Sequence, residues 1–560
     1  MTNPDHKTLS RRSWLGSATT GALATGLLAA SPVAFGASAV QKDKKGNDLG
    51  ARTYNVRDFG AIGDGVTVDT KAIQAAIDSC NTDKGGTVLI PAGIFVTGTI
   101  ELKSNVTFHI AAQGKLLGSA DGKQYRAADA IPLDGGWTMN DGNVGLIFAA
   151  NAENVTIEGK GTIDGQGAQF RSAKGTIPAA GITGNHRPHH LLFYKCTNLS
   201  VSDITLINCA YHSVRVCFCS YVKLTGLHIH SKVIHNNDGF HFVASEYVHV
   251  SNCDVECQDD ACALFGSCKF ITISDCSFST RWSVFRFGGG EAENITVNNC
   301  IIYEAYGCPI KMRCSPGSRF ENMTFSNLVM KEVTGPISIG LGTQSSATKT
   351  APQPVGIVRN ISFNNIQATV VKPVQLRGAE FTSNYNPGEM FSCITLNAMD
   401  EGYLENISFN NVHVSYPGGG TVEQAAVRDV PKVAGEYYQM GVPPAYGLYA
   451  RNVRGLTMHN TRFEMQTPDM RPAVVFDNIS DAAIVGLSAQ GNADTVLLRF
   501  TKVRDTLLSA SRVLTTASTF LNVEGSGNEG ITIDGGDLRK AATPLHFENA
   551  GEEKSVKLRV

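Results

Sequence analysis

The sequence predicts an all-β protein, a parallel β-helix with a helix capping its N-terminal end, and three observations lead there. A short motif recurs along the 560 residues. It reads Asn105-Val-Thr-Phe, Asn154-Val-Thr-Ile, Asn198-Leu-Ser-Val, Tyr221-Val-Lys-Leu, Tyr247-Val-His-Val, Phe270-Ile-Thr-Ile, Asn294-Ile-Thr-Val, Asn322-Met-Thr-Phe, Asn360-Ile-Ser-Phe, Asn406-Ile-Ser-Phe and Gly455-Leu-Thr-Met. Each copy alternates apolar and polar residues and ends near Ser, Asn, Asp or Gly, the signature of a half-buried strand entering a turn. Between Asn198 and Asn322 the copies lie 23, 26, 23, 24 and 28 residues apart, the period of a solenoid coil. That is too short for a βαβ unit and long enough for two or three short strands. Finally, 57 glycines with only 18% charged residues suit turn-dense β-structure.

Taken from the N-terminus, residues 1–39 read as an export signal: Ser10-Arg11-Arg12-Ser13-Trp14-Leu15, an apolar stretch from Gly16 to Ala30, then Ala37-Ser38-Ala39. The order is that of a twin-arginine signal with an A-x-A cleavage site, so the expected location is periplasmic or secreted. The apolar stretch falls short of the roughly 20 residues a membrane span needs, and no stable membrane insertion is expected. Residues 40–50 are Lys-, Gly- and Asp-rich and read as a flexible leader. One catalytic domain is expected over 51–560.

Asp69-Thr70-Lys71-Ala72-Ile73-Gln74-Ala75-Ala76-Ile77 carries the amphipathic helix pattern, with Asp69 or Thr70 as its cap. Such a helix would cover the open end of the solenoid, whose unpaired edge otherwise invites aggregation. After Asn322 the spacings stretch to 38, 46 and 49. The additional residues, Pro336 to Gly356, Val371 to Pro387 and Tyr416 to Pro444, read as loops thrown out from the coils.

Lys and Arg number 48 against 50 Asp and Glu, a net charge of −2. No overall basic field advertises nucleic acid, and attraction for an anionic ligand must be local. Of the 14 cysteines, Cys209, Cys253, Cys276 and Cys300 each follow Asn or Asp at a strand end. Equivalent positions on stacked coils would form an internal column of small apolar side chains. Most cysteines are therefore expected to pack rather than pair, with one or two surface disulfides possible and no zinc site. A monomer is expected.

The chemistry lies in two acidic triplets, Asn236-Asn237-Asp238 and Gln258-Asp259-Asp260, one coil apart. Stacked coils sit about 4.8 Å apart, which would bring three carboxylates together. Like charges that close resist joint ionisation, so one keeps its proton while another stays charged, supplying an acid and a base. The competing explanation is an Asn/Asp ladder of local hydrogen bonds, which Asn298-Asn299 and Asn410-Asn411 are expected to form. Consecutive carboxylates opposite a third gain little as structure.

These residues resemble glycoside hydrolase family 28, the polygalacturonase family of right-handed parallel β-helices, of which this chain looks like a divergent bacterial member. The resemblance covers Phe59-Gly-Ala-Ile-Gly-Asp-Gly65, Asp69-Thr70, Ala72-Ile73-Gln74, Ile163-Asp-Gly-Gln-Gly167, Arg187-Pro188, Asn236-Asn-Asp-Gly239, Gln258-Asp259-Asp260 and Ile310-Lys311. It implies that Asp259 protonates the glycosidic oxygen while Asp238 and Asp260 position and deprotonate water, with inversion at the anomeric carbon. Rung spacing alone would fit the closer carboxyl pair of a retaining enzyme. Lys311 would meet a substrate carboxylate, Asn236 would line the site, and no cofactor or metal is implied.

Two departures bear on substrate. Thr280-Arg281-Trp282 stands where the family has Gly-His-Gly, and Pro309-Ile310-Lys311 where it has Arg-Ile-Lys. Arg281, Arg286 and Arg313 add cations suited to carboxylate or sulfate, so rhamnogalacturonan or another α-linked acidic glycan joins polygalacturonate as candidate. His212, His235 and His241 fall near the same rungs without metal-motif spacing. The segments Glu436–Tyr449 and Met470–Phe476 resemble bacterial members with long loops that could wall off one end of the groove, favouring exo-action. A lyase or epimerase on uronate glycans, or a non-catalytic glycan-binding β-helix, are the alternatives on the same fold.

Overall fold

The computed structural model describes residues 48–132, 142–170, 187–342, 354–380, 384–399, 402–431, 433 and 437–559. The export signal and nearly all of the leader lie outside the described residues. Leu49–Val560 forms one compact unit, a right-handed parallel β-helix with 39 strands among the described residues. In its middle a coil is three short strands, as in Val214–Cys217, Ser220–Thr225 and His228–Ser231. Each pairs in parallel with its counterpart on the next coil, Phe240–Val243, Glu246–Ser251 and Asp254–Cys257.

The recurring motif forms one stacked sheet. Leu199, Val222, Val248, Ile271, Ile295, Met323, Ile361, Ile407 and Leu456 stand in register, one per coil, and all are buried. The residue that opens each motif lies in the left-handed region: Asn198 at φ 57°, Asn294 at 60°, Asn360 at 57°, Gly455 at 72°. Asn and Gly tolerate that conformation best. The asparagines then hydrogen-bond from coil to coil, Asn154 donating to Asn105 at 2.8 Å and Asn406 to Asn360 at 3.1 Å. A second ladder runs through Asn299, Asn327, Asn365, Asn411 and Asn460 at 2.9–3.1 Å, the role expected of Asn299 and Asn411. Tyr221, Tyr247 and Phe270 interrupt the first ladder at the same left-handed positions. Their rings stack at 5.0 Å instead, offsetting the roughly 1–2 kcal/mol a side chain pays there.

The helix spans Thr70–Thr82 and buries Ile73, Ala76, Ile77 and Cys80 against the first strands. Asp69 stands at its N-cap but leaves the helix amides uncapped. Its carboxylate instead accepts from Ile62 N at 2.7 Å and Gly63 N at 3.0 Å, because the preceding glycine-rich turn offers two converging amides.

All fourteen cysteines are free and buried. Cys253, Cys276 and Cys300 stand in one column, continued by Leu328. Cys209 does not join them. It follows its strand Thr205–Ile207, while Cys253 and Cys276 precede theirs and Cys300 lies within Glu291–Ala305, and Leu227 and Ile204 hold the equivalent positions.

The strands Val214–Cys217, Phe240–Val243, Cys262–Phe265, Phe285–Gly288 and Ile310–Cys314 form the face that carries the site. They lack polar–apolar alternation in burial because their outer side is covered too. Toward the N-terminal coils the cover is Ala128 and Ile131, packed on Phe148, Leu192, Tyr194, Cys217 and Val243. The outward column on this face runs Leu192, Arg215, His241, Ala263, Arg286, Lys311, Ser338, Thr395, Tyr449. Of the three expected loops, the first is shorter than anticipated, since Ile337–Leu341 is a strand of this same face.

Candidate functional site

Both triplets occupy the turn that leads into the site face. In the first, Asn237 is the turn's staple: its amide donates to the carbonyls of Cys209 at 2.7 Å and Tyr211 at 3.0 Å. Its side-chain oxygen accepts from Val233 N and Ile234 N. Asn236, at φ 57°, and Asp238 flank it. Gly239 follows because a Cβ there would lie 2.5 Å from the carbonyl oxygen of Ala261, so the next coil could not approach.

The coil register then brings the acids together. Gly239 N donates to Asp260 O at 3.0 Å, stacking Asp238 on Asp260, and Asp259 N donates to Asn237 O at 3.1 Å. Asp259 accepts from Asp260 N at 2.9 Å and from the Asn236 amide at 3.3 Å. Asp260 accepts from Ser283 N at 3.3 Å. Burial pushes the Asp259 carboxyl above its ordinary value, against the opposing pull of the Asp260 amide, Lys311, Arg281 and Asn236. A carboxyl raised in this way keeps its proton to a higher pH than an ordinary one.

The departing segment Thr280-Arg281-Trp282 is built into this site. Thr280 Oγ1 donates to the Asp259 carbonyl and accepts from Trp282 N, which ties the segment to the acid's own backbone. The Trp282 ring carries two cations, Lys311 Nζ at 4.2 Å and the Arg281 guanidinium at 4.5 Å. Lys311 is only 2% exposed, in keeping with an ammonium partly desolvated by an aromatic face. Arg281 also faces Tyr385 at 4.7 Å and donates to Asn384 O at 3.0 Å, with Glu389 at 3.9 Å.

Those last three residues belong to the loop between Val371 and Ser392, which folds back beside earlier coils. Lys232 donates to the carbonyl of Arg377, and Arg377 pairs with Glu304 at 3.3 Å. Arg471, itself buried and doubly bonded to Asp469, donates to Phe391 O at 2.8 Å and to Pro443 O at 3.3 Å. The two late segments marked in the sequence thus brace this loop. Glu436 lies outside the described residues.

Arg286 stands one rung below Lys311, its guanidinium 5.6 Å from the Phe265 ring centre and donating to Phe287 O. His212 and His241 stack at 4.4 Å and 7°. His241 Nδ1 is 2.7 Å from Asp238 Oδ2, and His212 Nε2 is 3.7 Å from Asp238 Oδ1. His235 contributes its carbonyl, which accepts from Arg187. Of the rest of this assembly the sequence marked only Arg187, in Arg187-Pro188. Tyr211 stacks on His189 at 4.9 Å, Arg187 lies 4.4 Å from the Tyr211 ring centre, and a wholly buried Arg215 sits 3.0 Å from His212 Nδ1. Tyr211 and Arg215 adjoin His212 in sequence, but their meeting with His189 and Arg187 comes only from coil register, which no local pattern marks.

Among the described residues His212, Asp238 and His241 offer metal-capable atoms within 4.8 Å of one another. Their setting is cationic, with Arg187 and Arg215 adding positive charge beside the imidazoles. Arg281, Arg286 and Lys311 line the neighbouring coils, so the local field favours an anionic ligand over a cation.

A family model described as glycosyl hydrolases family 28 matches residues 80–386. A probable polygalacturonase of Arabidopsis thaliana is 29% identical, the match covering 57% of this chain and 68% of the relative. An exopolygalacturonase of Platanus acerifolia is 26% identical over 58% of this chain and 85% of its own length. The solved structure of the family 28 exopolygalacturonase of Yersinia enterocolitica superposes with a TM-score of 0.55 at 19% identity, covering 78% of each chain; that likeness speaks to the fold.

Proposed function

The chain belongs to glycosyl hydrolases family 28, and on that premise we propose that it cleaves an α-linked pectic glycan bearing uronates, galacturonan or rhamnogalacturonan, with inversion. The observation that carries the reading is that three aspartates on two adjoining turns have three different surroundings. Asp259 is raised by burial and serves as the acid that protonates the glycosidic oxygen. Asp238, hydrogen-bonded by His241, and Asp260, held by Ser283 N, orient the attacking water and take its proton. General acid and base each contribute about 10²–10⁴ in rate at such sites. Asn236 holds Asp259, while Lys311, Arg281 and Arg286 meet substrate carboxylates.

The folded-back loop between Val371 and Ser392 further supports action on chain ends. Asn384 of this loop accepts from Arg281 and Phe391 from Arg471, contacts that would close one end of the site to a passing polymer. Product analysis by proton NMR on homogalacturonan, rhamnogalacturonan and their oligomers tests all of this at once. The expected outcome is release of saturated terminal sugars with inverted anomeric configuration. Unsaturated uronate products that vanish with a chelator would instead assign a lyase, and binding without turnover a glycan-binding β-helix.

A further inference from the structure

We propose that His212, His241 and Arg215 form a clamp of fixed tautomers that holds Asp238 as the ionised member of the acid trio. The proposal rests on the assignment of Asp238 to water activation.

The tautomers follow from which neighbours can only give or only accept. A guanidinium has donors and no acceptor, so Arg215, 3.0 Å away, requires the lone pair of His212 at Nδ1. The single hydrogen of neutral His212 then sits on Nε2, the nitrogen that faces Asp238 Oδ1 at 3.7 Å. An ionised carboxylate only accepts, so His241, 2.7 Å from Oδ2, carries its hydrogen on Nδ1. Asp238 Oδ2 thus accepts from His241 Nδ1–H, while His212 Nε2–H faces Oδ1 beyond hydrogen-bond length, and both N–H dipoles favour the charged form.

Their surroundings favour the neutral form of both rings. Burial first, and then neighbouring cations and imidazoles, push His212 and His241 well below the ordinary histidine range. Their stacking at 4.4 Å and 7° would set two like charges face to face if both were protonated. The other titratable or charged groups around Asp238 and the clamp are Arg187, His189, Cys257, Asp259 and Asp260, with Lys311 and Arg281 acting on Asp259 from the following coils. Of these the two carboxyls oppose a charge on Asp238, while Arg187 favours a charge on Asp238 and Asp259 alike and Lys311 and Arg281 favour one on Asp259, so what singles out Asp238 is the clamp. A metal ion on the same side chains would need the Nε2 hydrogen of His212 displaced while Arg215 holds the other nitrogen, with that cation alongside.

The test uses the full-length protein. Nitrogen-15 NMR of the imidazoles should find His241 protonated at Nδ1 and His212 at Nε2, both neutral down to pH 5, a reading that needs no substrate. His241→Phe removes the donor, and His241→Asn restores one near the Nδ1 position. His241→Phe should lower kcat about ten- to a hundred-fold with KM little changed, and move the acidic limb of the rate profile to higher pH. His241→Asn should recover most of both. Equal kinetics and pH profiles for the two variants, the opposite tautomers, or one bound metal ion per chain with chelator-sensitive activity would each overturn the clamp. If the wild type cleaves no glycan, the hydrolase assignment fails while the tautomers still report on the clamp.

Discussion

Two regions of the same solenoid use the same residue types to opposite ends. On the ladder side, Asn294, Asn322, Asn360 and Asn406 meet coil after coil, each side-chain amide donating to the oxygen of the previous asparagine. On the acid side, Asn236, Asp238, Asp259 and Asp260 also stack at turns, but carboxylates replace amides. Amides carry donor and acceptor in equal measure and repeat without conflict. Carboxylates only accept, so the acid side draws its donors from elsewhere: backbone amides, His241, and the cations around Trp282. A turn residue that its own ladder cannot satisfy marks the place where chemistry has displaced structure.

The largest test of this contrast is Asp259→Asn, which converts the acid turn toward ladder chemistry. Activity should fall by at least ~10³-fold, measured as reducing-sugar release. Stability should move the other way. A carboxyl whose folded value is raised binds more protons folded than unfolded, so its contribution falls as pH rises from the ordinary carboxylate value to the raised one. Above that window the buried charge costs stability, so Asp259→Asn should melt higher than wild type at pH 7. The gain should vanish in acid; a lower Tm at neutral pH would break the comparison.

Trp282→Leu is the intermediate case. It removes the ring that orients Lys311 and Arg281, worth up to ~2 kcal/mol in a desolvated setting. KM for an acidic oligosaccharide should rise about ten-fold while kcat changes little, and an unchanged KM would detach those cations from substrate binding. The smallest effect belongs to the ladder. Asn360→Ala loses a rung and places alanine at φ 57°, for a loss of about 1–2 kcal/mol in urea unfolding. Steady-state kinetics should not change, and any effect on kcat would mean that the ladder and acid sides are coupled.

The sequence made the fold legible because its decisive signals are local. A period-two strand opened by a left-handed Asn repeats within a few residues, and the coil spacing needs only counting. The acids were legible for a similar reason, since Asp259-Asp260 is a consecutive pair. What stayed hidden depends on register or on long reach. Arg215 lies in Val-Arg-Val-Cys, where alternation predicts an exposed cation, yet a cover from elsewhere buries it completely. Arg281 meets a loop 103 residues away, a contact no local pattern encodes. Asp69 was legible as a helix-start residue and not in its bonding, because the competing amides of Ile62 and Gly63 are closer to hand.

The outward column of the site face advances by one residue per coil, with cations at the rungs of Arg215, Arg286 and Lys311 and neutral residues at Ala263 and Ser338. Because neighbouring strands keep a spacing of about 4.8 Å, these charges are marks on a ruler whose graduation the backbone fixes. In the proposed reading an acidic glycan would meet Arg286 and Lys311 as two such marks, while Arg215, wholly buried, lies beyond its reach. A glycan whose charges recur at an incommensurate distance can satisfy a single mark but not two in succession. Substitutions can change which marks carry charge, but only a rebuilt solenoid could change the interval between them.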